Sequence, residues 1–225
     1  ATFAMMFGSK AFLLATIGFP IISFMTYGIG FWSPPYMLRR FAVDLSEAGM
    51  ILGGGAALGG WLGITIGGVV SDRWKASNAN ARLYIGMMVP VLAVPLVLLF
   101  LYAQSAWIAY VASFFYSIFS TLWIGAAAST VNDLVMPRMR ASASAYYILM
   151  NTFIGLAMGP FVIGQLSDRF AQSGMDDATA LGTAMAISLV VLVVALGALL
   201  LATRFLPSEQ ASRIDRARAL GEVVQ

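Results

Sequence analysis

The charged residues that could do chemistry in this chain lie where apolar segments end. Asp72 and Arg73 follow Gly67-Gly68-Val-Val-Ser71, and Asp133 shortly precedes Arg138. A carboxylate at a helix end can accept hydrogen bonds from a neighbouring helix and pair with an arginine. Such a pair can hold two helix ends together in one state and release them in another. Asp72 and Arg73 are therefore candidates for a gating latch, unless they only mark the membrane boundary.

Asp133 is the acidic residue closest to the apolar part of the chain, where ionisable groups are functional candidates. The interpretation we favour is that it pairs with Arg138 at the membrane surface. The chain has no Cys and no His, which excludes thiolate and imidazole metal sites, a cysteine nucleophile and a Ser-His dyad. Asp133 also lacks the facing aspartate that an intramembrane aspartyl protease requires. We therefore expect a protein that is not an enzyme and has no metal or cofactor.

Polar and aromatic residues inside the apolar segments are candidates for lining a substrate cavity. They are Thr26, Tyr27, Trp32, Ser117, Thr121, Tyr147 and Asn151. The segment that contains the first three is rich in Gly and Pro, which should interrupt a helix and favour a cavity-lining role. The alternatives are that these are plain kinks, that Trp32 lies in the outer aromatic belt, and that the hydroxyls bond to their own backbone.

The composition indicates whether the elements that position these residues lie in water or in lipid. Hydrophobic residues make up 60% of the 225 residues, charged residues only 10%, and the mean hydropathy is +0.85. A soluble domain has roughly 45–50% apolar and about 25% charged residues. The excess cannot be buried in so small a globule, so the chain belongs in lipid. A soluble enzyme, a nucleic-acid module and a disordered tail are excluded.

Six apolar segments are long enough to cross a membrane, which takes about 20 residues. They are approximately Phe12–Trp32, Ala48–Val70, Leu83–Ala103, Ala106–Val131, Ala141–Leu166 and Ala180–Thr203. A transmembrane barrel would show shorter, alternating segments. We therefore predict an all-α membrane protein with six transmembrane helices.

Basic residues concentrate on one side of the predicted topology. This basic face contains Lys10, Arg73, Lys75, Arg82, Arg138, Arg140, Arg204, Arg213, Arg216 and Arg218. The opposite face contains Arg39, Arg40 and Arg169. The positive-inside rule then puts the basic face and both termini in the cytoplasm. We expect a plasma membrane location, such as a bacterial inner membrane.

A motif recurs with an offset of 96 residues. Gly68-Val-Val-Ser-Asp-Arg-Trp74 ends the second segment, and Gly164-Gln-Leu-Ser-Asp-Arg-Phe170 ends the fifth. Three segments apart, the copies fall on opposite faces, as in a three-plus-three inverted repeat. The predicted organisation is a cytoplasmic lead-in (1–11), two three-helix repeats (12–103 and 106–203) and a basic cytoplasmic tail (204–225), which forms either an interfacial helix or a frayed end.

Small residues at helical spacing predict close helix packing. Gly55, Gly59, Gly63 and Gly67 form an i+4 row, and Gly159-Pro160 lies in the fifth segment. In lipid such rows let helix backbones approach closely. We favour an interface between the second segment and a missing half of the protein. A static packing seam is a second interpretation, and the two are compatible.

The loop after the second segment resembles the signature of the major facilitator superfamily, in which Gly, a small or apolar pair, Asp-Arg and basic residues separate the second and third helices of each half. The resemblance covers residues 10–205. Val135-Met-Pro-Arg-Met-Arg140 and Gly159-Pro-Phe-Val-Ile-Gly-Gln-Leu-Ser-Asp-Arg169 look like the carboxy-terminal half of spinster-type members. By this resemblance Asp72 and Arg73 close the cytoplasmic side.

The resemblance implies a twelve-helix carrier of which this chain is one half, with membrane lipid and an amino-terminal six-helix half as partners. We expect the chain to be the carboxy-terminal half, as a fragment or one of a split pair. A proton or Na⁺ gradient would couple through the absent half. Spinster-type relatives move lysolipids and sphingoid lipids, so an amphipathic, lipid-like substrate is expected. Small organic anions, sugars or drugs stay open.

A non-transporting scaffold or a channel subunit is the competing class of function. A channel would require a short re-entrant filter between two segments, and the loops offer none. The inverted repeat therefore favours transport.

Overall fold

The computed structural model describes residues 2–219, and within that range the chain is helical and contains no strand. Six of these helical stretches are long and apolar enough to cross a membrane, which confirms the predicted count. They are span 1 (Lys10–Phe41), span 2 (Leu45–Lys75), span 3 (Ala81–Leu101), span 4 (Ala106–Asp133), span 5 (Pro137–Gln172) and span 6 (Asp177–Ala211).

Span 1 is a continuous helix, so the predicted interruption by Pro20, Pro34 and Pro35 is wrong. Proline removes a backbone donor and usually kinks a helix, but here most of the helix is buried against its neighbours. Buried residues make up 67% of the apolar core of span 1, against 17% for span 2 and 28% for span 5. Packing therefore maintains this central helix through its prolines.

Irregular backbone occurs instead in spans 4, 5 and 6. Span 4 comprises the helices Ala106–Thr121 and Trp123–Asp133, which are separated at Leu122. Span 6 comprises Asp177–Ser188 and Val191–Ala211. Span 5 is assembled from a 3₁₀ turn, two α-helices and a π-helix, whose bounds are Pro137–Met139, Arg140–Met150, Asn151–Ala157 and Met158–Gln172.

The spans pack in the pattern of an inverted repeat. Span 1 packs against spans 5 and 6, and span 4 packs against spans 2 and 3. If spans 1, 2 and 3 are exchanged with spans 4, 5 and 6 in that order, each of these two sets of contacts becomes the other. Spans 1 and 4 are therefore the central helix of their respective repeats.

The glycine row of span 2 packs inside this half, against span 4. A Cβ added at Gly59 would lie 2.8 Å from the Ser117 side chain. Added at Gly63 or Gly67, it would collide with the span 4 backbone. The expectation that this row faces the missing half is wrong, because the face that needs close backbone approach is already occupied. Gly55 lies at the looser end of the row, 3.8 Å from Phe114.

The second repeat reproduces these contacts between spans 5 and 1. The equivalent glycine contacts are Gly59 with Ser117 and Gly155 with Ser23, then Gly63 with Ile118 and Gly159 with Phe24. The glycines of each pair differ by 96 positions and their partners by 94. The two repeats thus share individual backbone contacts as well as a motif.

The chain ends add helical structure on the basic face. Residues Thr2–Phe7 form a helix with Met5 and Met6 buried, and Ser9 caps span 1. Beyond span 6, Arg213–Ala219 forms a further helix. Of the possible interfacial helix from Ser208 to Gln225, residues 208–211 continue the helix of span 6, and residues 220–225 lie outside the described residues.

Candidate functional site

A cavity of about 390 Å³ opens between spans 1, 4 and 5. Five of the predicted cavity residues line it, namely Thr26, Tyr27, Thr121, Tyr147 and Asn151. The other lining residues are Ser23, Trp123, Ile124, Ala128, Ser144 and Ile148. Its volume falls in the range of roughly 300–1,000 Å³ that is usual for small-molecule pockets. Hydroxyl, amide and aromatic groups line it, and none of the residues just named carries a charge.

Span 1 contributes residues near its own middle, namely Ser23, Thr26 and Tyr27. The Thr26 hydroxyl donates to the Ile22 carbonyl at 3.1 Å and lies 3.4 Å from the Ser120 carbonyl of span 4. Tyr27, the next residue, is 41% exposed. A tyrosine this exposed beside the cavity presents both its ring and its hydroxyl to a ligand.

Span 5 contributes Tyr147 and Asn151 one helical turn apart, and the π-helix begins at Asn151. π-Bulges are rare and recur at functional sites. The turn that follows brings Gly155 against span 1, where a Cβ would lie 2.6 Å from that of Ser23. Among the described residues, the Ser23 Oγ and the Asn151 Oδ1 of the cavity lining are buried without a hydrogen-bond partner.

Span 4 contributes residues on both sides of its break at Leu122. The Thr121 hydroxyl donates to the Ser117 carbonyl at 3.0 Å and also faces the Gly60 carbonyl of span 2 at 3.3 Å. The Trp123 indole donates to the Ser120 carbonyl at 2.8 Å, and its ring stacks on Phe19. The break is thus fixed by a side chain that also forms a wall of the cavity.

Two of the predicted cavity residues lie elsewhere. The Trp32 indole donates to the Pro160 carbonyl at 2.8 Å, and its ring lies against Gly164. The Ser117 hydroxyl donates back to Ser113 at 2.9 Å, while its Cβ faces Gly59. Assigning these two residues to the cavity is wrong, because both are used in packing between spans.

The predicted latch residues belong to an ionic cluster on the basic face. Arg82 Nη1 contacts Asp133 at 2.6 Å, and Arg82 Nη2 contacts Asp72 at 2.9 Å. Lys75 also pairs with Asp133. Arg82 is only 13% exposed, and Asp133 is 24% exposed. This latch cluster (Asp72, Lys75, Arg82 and Asp133) joins the end of span 2, the start of span 3 and the end of span 4.

The pairing differs from the prediction in two respects. Asp133 pairs with Lys75 and Arg82, two partners that the sequence analysis did not assign to it. Arg73 is exposed and joins none of these pairs, so Arg82 is the partner of Asp72. The reason is geometric: the helix that begins at Ala81 directs Arg82 between both carboxylates.

Some lining residues carry a signal that the sequence analysis did not use. Ser144 lies on the same helical face as Tyr147 and Asn151, and its hydroxyl donates to Asn132 at 3.0 Å. Ile124, Ala128 and Ile148 resemble any other apolar residue in a span. Only the fold assigns them to the cavity.

The chain is similar to known transporters. It is 30% identical over 178 residues to an MFS-type efflux pump of Mycolicibacterium smegmatis, a match that covers 78% of this chain and 40% of the pump. It is 29% identical over 174 residues to Protein spinster homolog 1 of Xenopus laevis, covering 72% of this chain and 33% of that protein. The chain therefore spans well under half of these relatives. The model of the Organic Anion Transporter Polypeptide (OATP) family matches residues 1–112.

Solved structures share the fold. A bacterial homolog of the human lysosomal transporter Spinster, in an inward-facing and unoccupied conformation, superposes with a TM-score of 0.76 at 21% identity. The superposition covers 92% of this chain and 50% of that structure. The same homolog in an inward-facing and occupied conformation gives a TM-score of 0.74 at 22% identity, covering 89% of this chain and 50% of that structure.

Proposed function

Because this chain belongs to the major facilitator superfamily, we propose that it forms one six-helix half of a secondary transporter that works by alternating access. In such carriers the substrate binds between two halves near the middle of the membrane. The cavity between spans 1, 4 and 5 is then one wall of the substrate site. In this proposal the exposed faces of spans 2 and 5 contact the other half, because these two spans have the smallest buried fractions of the six.

The chemistry of the cavity wall supports an amphipathic, lipid-like substrate. Thr26, Tyr27 and Asn151 offer hydrogen bonds, and Trp123 with Ile148 offers apolar and aromatic surface. An uncharged wall of this kind fits a substrate with a polar head and an apolar body. Any charged group that couples transport to a proton or Na⁺ gradient would be supplied by the second half.

The latch cluster supports the gating part of the proposal. Its ion pairs connect three helix ends on the basic face, which the positive-inside rule assigns to the cytoplasm. In our proposal the cluster keeps these ends together while the carrier is open to the other side. Rearrangement of the Asp133 pairs accompanies opening to the cytoplasm.

An organic anion is the second candidate substrate, because the family model matched by residues 1–112 describes organic anion transporters. An anion site requires a cation near the substrate. The described residues that line the cavity include neither Lys nor Arg, so the second half would have to supply it. This requirement makes the amphipathic substrate the better supported of the two.

Uptake into vesicles tests the proposal. The chain would be reconstituted with its second half and supplied with a labelled lysolipid, an organic anion or a sugar, with and without a proton or Na⁺ gradient. We expect uptake of the lysolipid, and we expect Asn151→Leu to reduce it by about ten-fold, because leucine fills the cavity and removes the amide. Thr203→Leu is the matched control, since Thr203 lies in span 6, outside both the cavity and the two spans assigned to the other half.

Uptake of the sugar or the anion without the lysolipid would contradict the substrate assignment. Equal effects of the two leucine variants would contradict the assignment of the cavity.

A further inference from the structure

A second cavity, of about 410 Å³, lies on the basic face beside the latch cluster. It is lined by Lys75, Asp133, Pro207, Gln210, Ala211 and Arg213. Its walls are the end of span 2, the end of span 4 and the segment that follows the apolar part of span 6. This basic-face cavity is separate from the one between spans 1, 4 and 5.

The segment that forms one wall is fixed in position by Glu209. The Glu209 carboxylate accepts hydrogen bonds from the backbone N–H groups of Lys10 and Ala11, at 3.0 and 3.2 Å, and from the Ser9 hydroxyl. These are the first free donors of span 1, where a helix favours a negative charge. The Lys10 ammonium lies 5.1 Å from the centre of the Phe205 ring.

Two arginines attach the same segment to the end of span 4. Arg216 donates to the Leu134 carbonyl at 3.3 Å and to the Glu209 carbonyl at 2.8 Å. Arg213 reaches the Asp133 carbonyl at 3.4 Å. Cations at the C-terminal end of a helix interact favourably with its free carbonyls. Arg213 is thereby held in the lining of the basic-face cavity.

Positive charge exceeds negative charge around this cavity. Within residues 2–219, the cluster and its neighbours contain the four cations Lys75, Arg82, Arg213 and Arg216 and the three carboxylates Asp72, Asp133 and Glu209. Asp215, the other acidic residue of the segment, lies 3.6 Å from Arg218, a cation that this count leaves out. Carbonyl oxygens orient Arg213 and Arg216 but do not neutralise them.

We propose that the basic-face cavity binds a phosphate group between Lys75 and Arg213. Arginine and lysine are the usual ligands of phosphate oxygens, and the Gln210 side chain is a further donor on the same wall. The phosphate comes either from the head of an anionic lipid in the adjacent leaflet or from solution. In both cases it compensates the excess charge and competes with Asp133 for Lys75.

Competition for Lys75 makes the site a regulator of the latch, and this consequence rests on the proposed transport function. A bound phosphate weakens the Lys75–Asp133 pair and leaves Arg82 as the main partner of Asp133. Binding itself requires no transport. The experiment below measures binding alone, so its result is independent of whether the carrier function is correct.

Native mass spectrometry of the purified protein in a neutral detergent tests the site. The probes are phosphatidylglycerol, a diacylglycerol with the same acyl chains, and inorganic phosphate. We expect Arg213→Gln to weaken phosphatidylglycerol binding by about ten-fold, because it removes a charge-assisted hydrogen bond. Arg218→Gln is the matched control. It removes the same charge from the same segment, but Arg218 is 64% exposed and does not line the cavity.

Inorganic phosphate identifies the source of the group. If it displaces phosphatidylglycerol from the unsubstituted protein, the site accepts phosphate from solution. If it does not, the site is specific for the lipid head. Either result supports the proposal, provided that Arg213→Gln weakens binding and Arg218→Gln does not.

Equal weakening by the two Gln variants would overturn the proposal, as would equal binding of diacylglycerol and phosphatidylglycerol. If Arg213→Gln fails to fold, Gln210→Glu provides the same test. It introduces a carboxylate into the cavity while keeping both cations, and unchanged binding would likewise overturn the assignment.

Discussion

The Thr26 hydroxyl lies 3.4 Å from the Ser120 carbonyl, and the two residues occupy equivalent positions of the two three-helix repeats. Their separation of 94 residues is the one that relates Ser23 to Ser117 and Phe24 to Ile118 at the glycine contacts. A residue that touches its own counterpart lies close to the pseudo-two-fold axis. The axis of this half therefore passes between spans 1 and 4, next to the cavity that contains Thr26.

Gly63→Ala and Gly159→Ala should destabilise the protein to a similar extent. In each case the new methyl group meets the backbone of a central span, at Ile118 or at Phe24. Overpacking of this kind typically costs about 1–3 kcal/mol. Thermal unfolding in detergent measures the loss. Gly68→Ala is the control, because nothing lies within 4 Å of its added Cβ. A strong effect at Gly63 with none at Gly159 would argue against equivalence of the two seams.

Asp133→Asn should weaken the latch cluster more than Asp72→Asn. Asp133 pairs with both Lys75 and Arg82 and is 24% exposed, whereas Asp72 is 68% exposed and pairs with Arg82. Removing a charged partner of a partly buried cation costs about 1–3 kcal/mol, whereas an exposed pair contributes about 1 kcal/mol or less.

Spin labels can report this difference, since the natural chain has no cysteine. Labels at Ala76 and Ala141, both exposed, would follow the end of span 2 and the start of span 5, which comes directly after the Asp133 end of span 4. We expect a longer or broader distance distribution in Asp133→Asn and little change in Asp72→Asn. A larger change in Asp72→Asn would show that the exposed pair controls the cluster.

Trp32→Phe should reduce stability without changing substrate affinity. The substitution removes the indole N–H that donates to Pro160, and a neutral hydrogen bond contributes about 0.5–1.5 kcal/mol. Tyr27→Ala should do the reverse, because Tyr27 lines the cavity and is 41% exposed. Unfolding curves and uptake measured on the same preparations separate the two effects. A loss of substrate affinity in Trp32→Phe would show that this residue contacts the substrate.

Glu209→Gln should loosen the start of span 1. The carboxylate that accepts from the Lys10 and Ala11 amides loses its charge, and a capping interaction of this type contributes about 1 kcal/mol. Hydrogen exchange of these two amides should therefore become roughly five-fold faster. Asp215→Asn is the control, since Asp215 is 77% exposed and pairs with Arg218 of its own helix. Unchanged exchange in Glu209→Gln would mean that the Ser9 cap suffices.

Hydropathy and charge predict the six spans because a membrane penalises polar backbone and charge so strongly that length and composition decide the assignment. The repeated motif predicts the inverted symmetry for a similar reason, since its two copies mark equivalent helix ends. Five cavity residues are predictable as polar groups inside apolar helices. These features depend on the relation of each helix to the membrane.

Features that depend on one helix meeting another are not predictable in the same way. The Trp32 indole donates to the Pro160 carbonyl. The Asp133 carboxylate pairs with Arg82, although Arg138 is nearer in sequence. The glycine row of span 2 indicates close packing without identifying its partner. Glu209 is an ordinary glutamate in a polar tail until the fold brings it to the start of span 1.

The contact between Glu209 and the start of span 1 also has a consequence for the order of biosynthesis. The N–H groups of Lys10 and Ala11 lie outside the apolar part of their helix. The carboxylate that accepts their hydrogen bonds is translated about 200 residues later. At synthesis rates of about 5–20 residues per second, that delay is about 10–40 s. Span 1 is therefore completed only after spans 2 to 5 have been synthesised, so a product truncated before Glu209 lacks this cap.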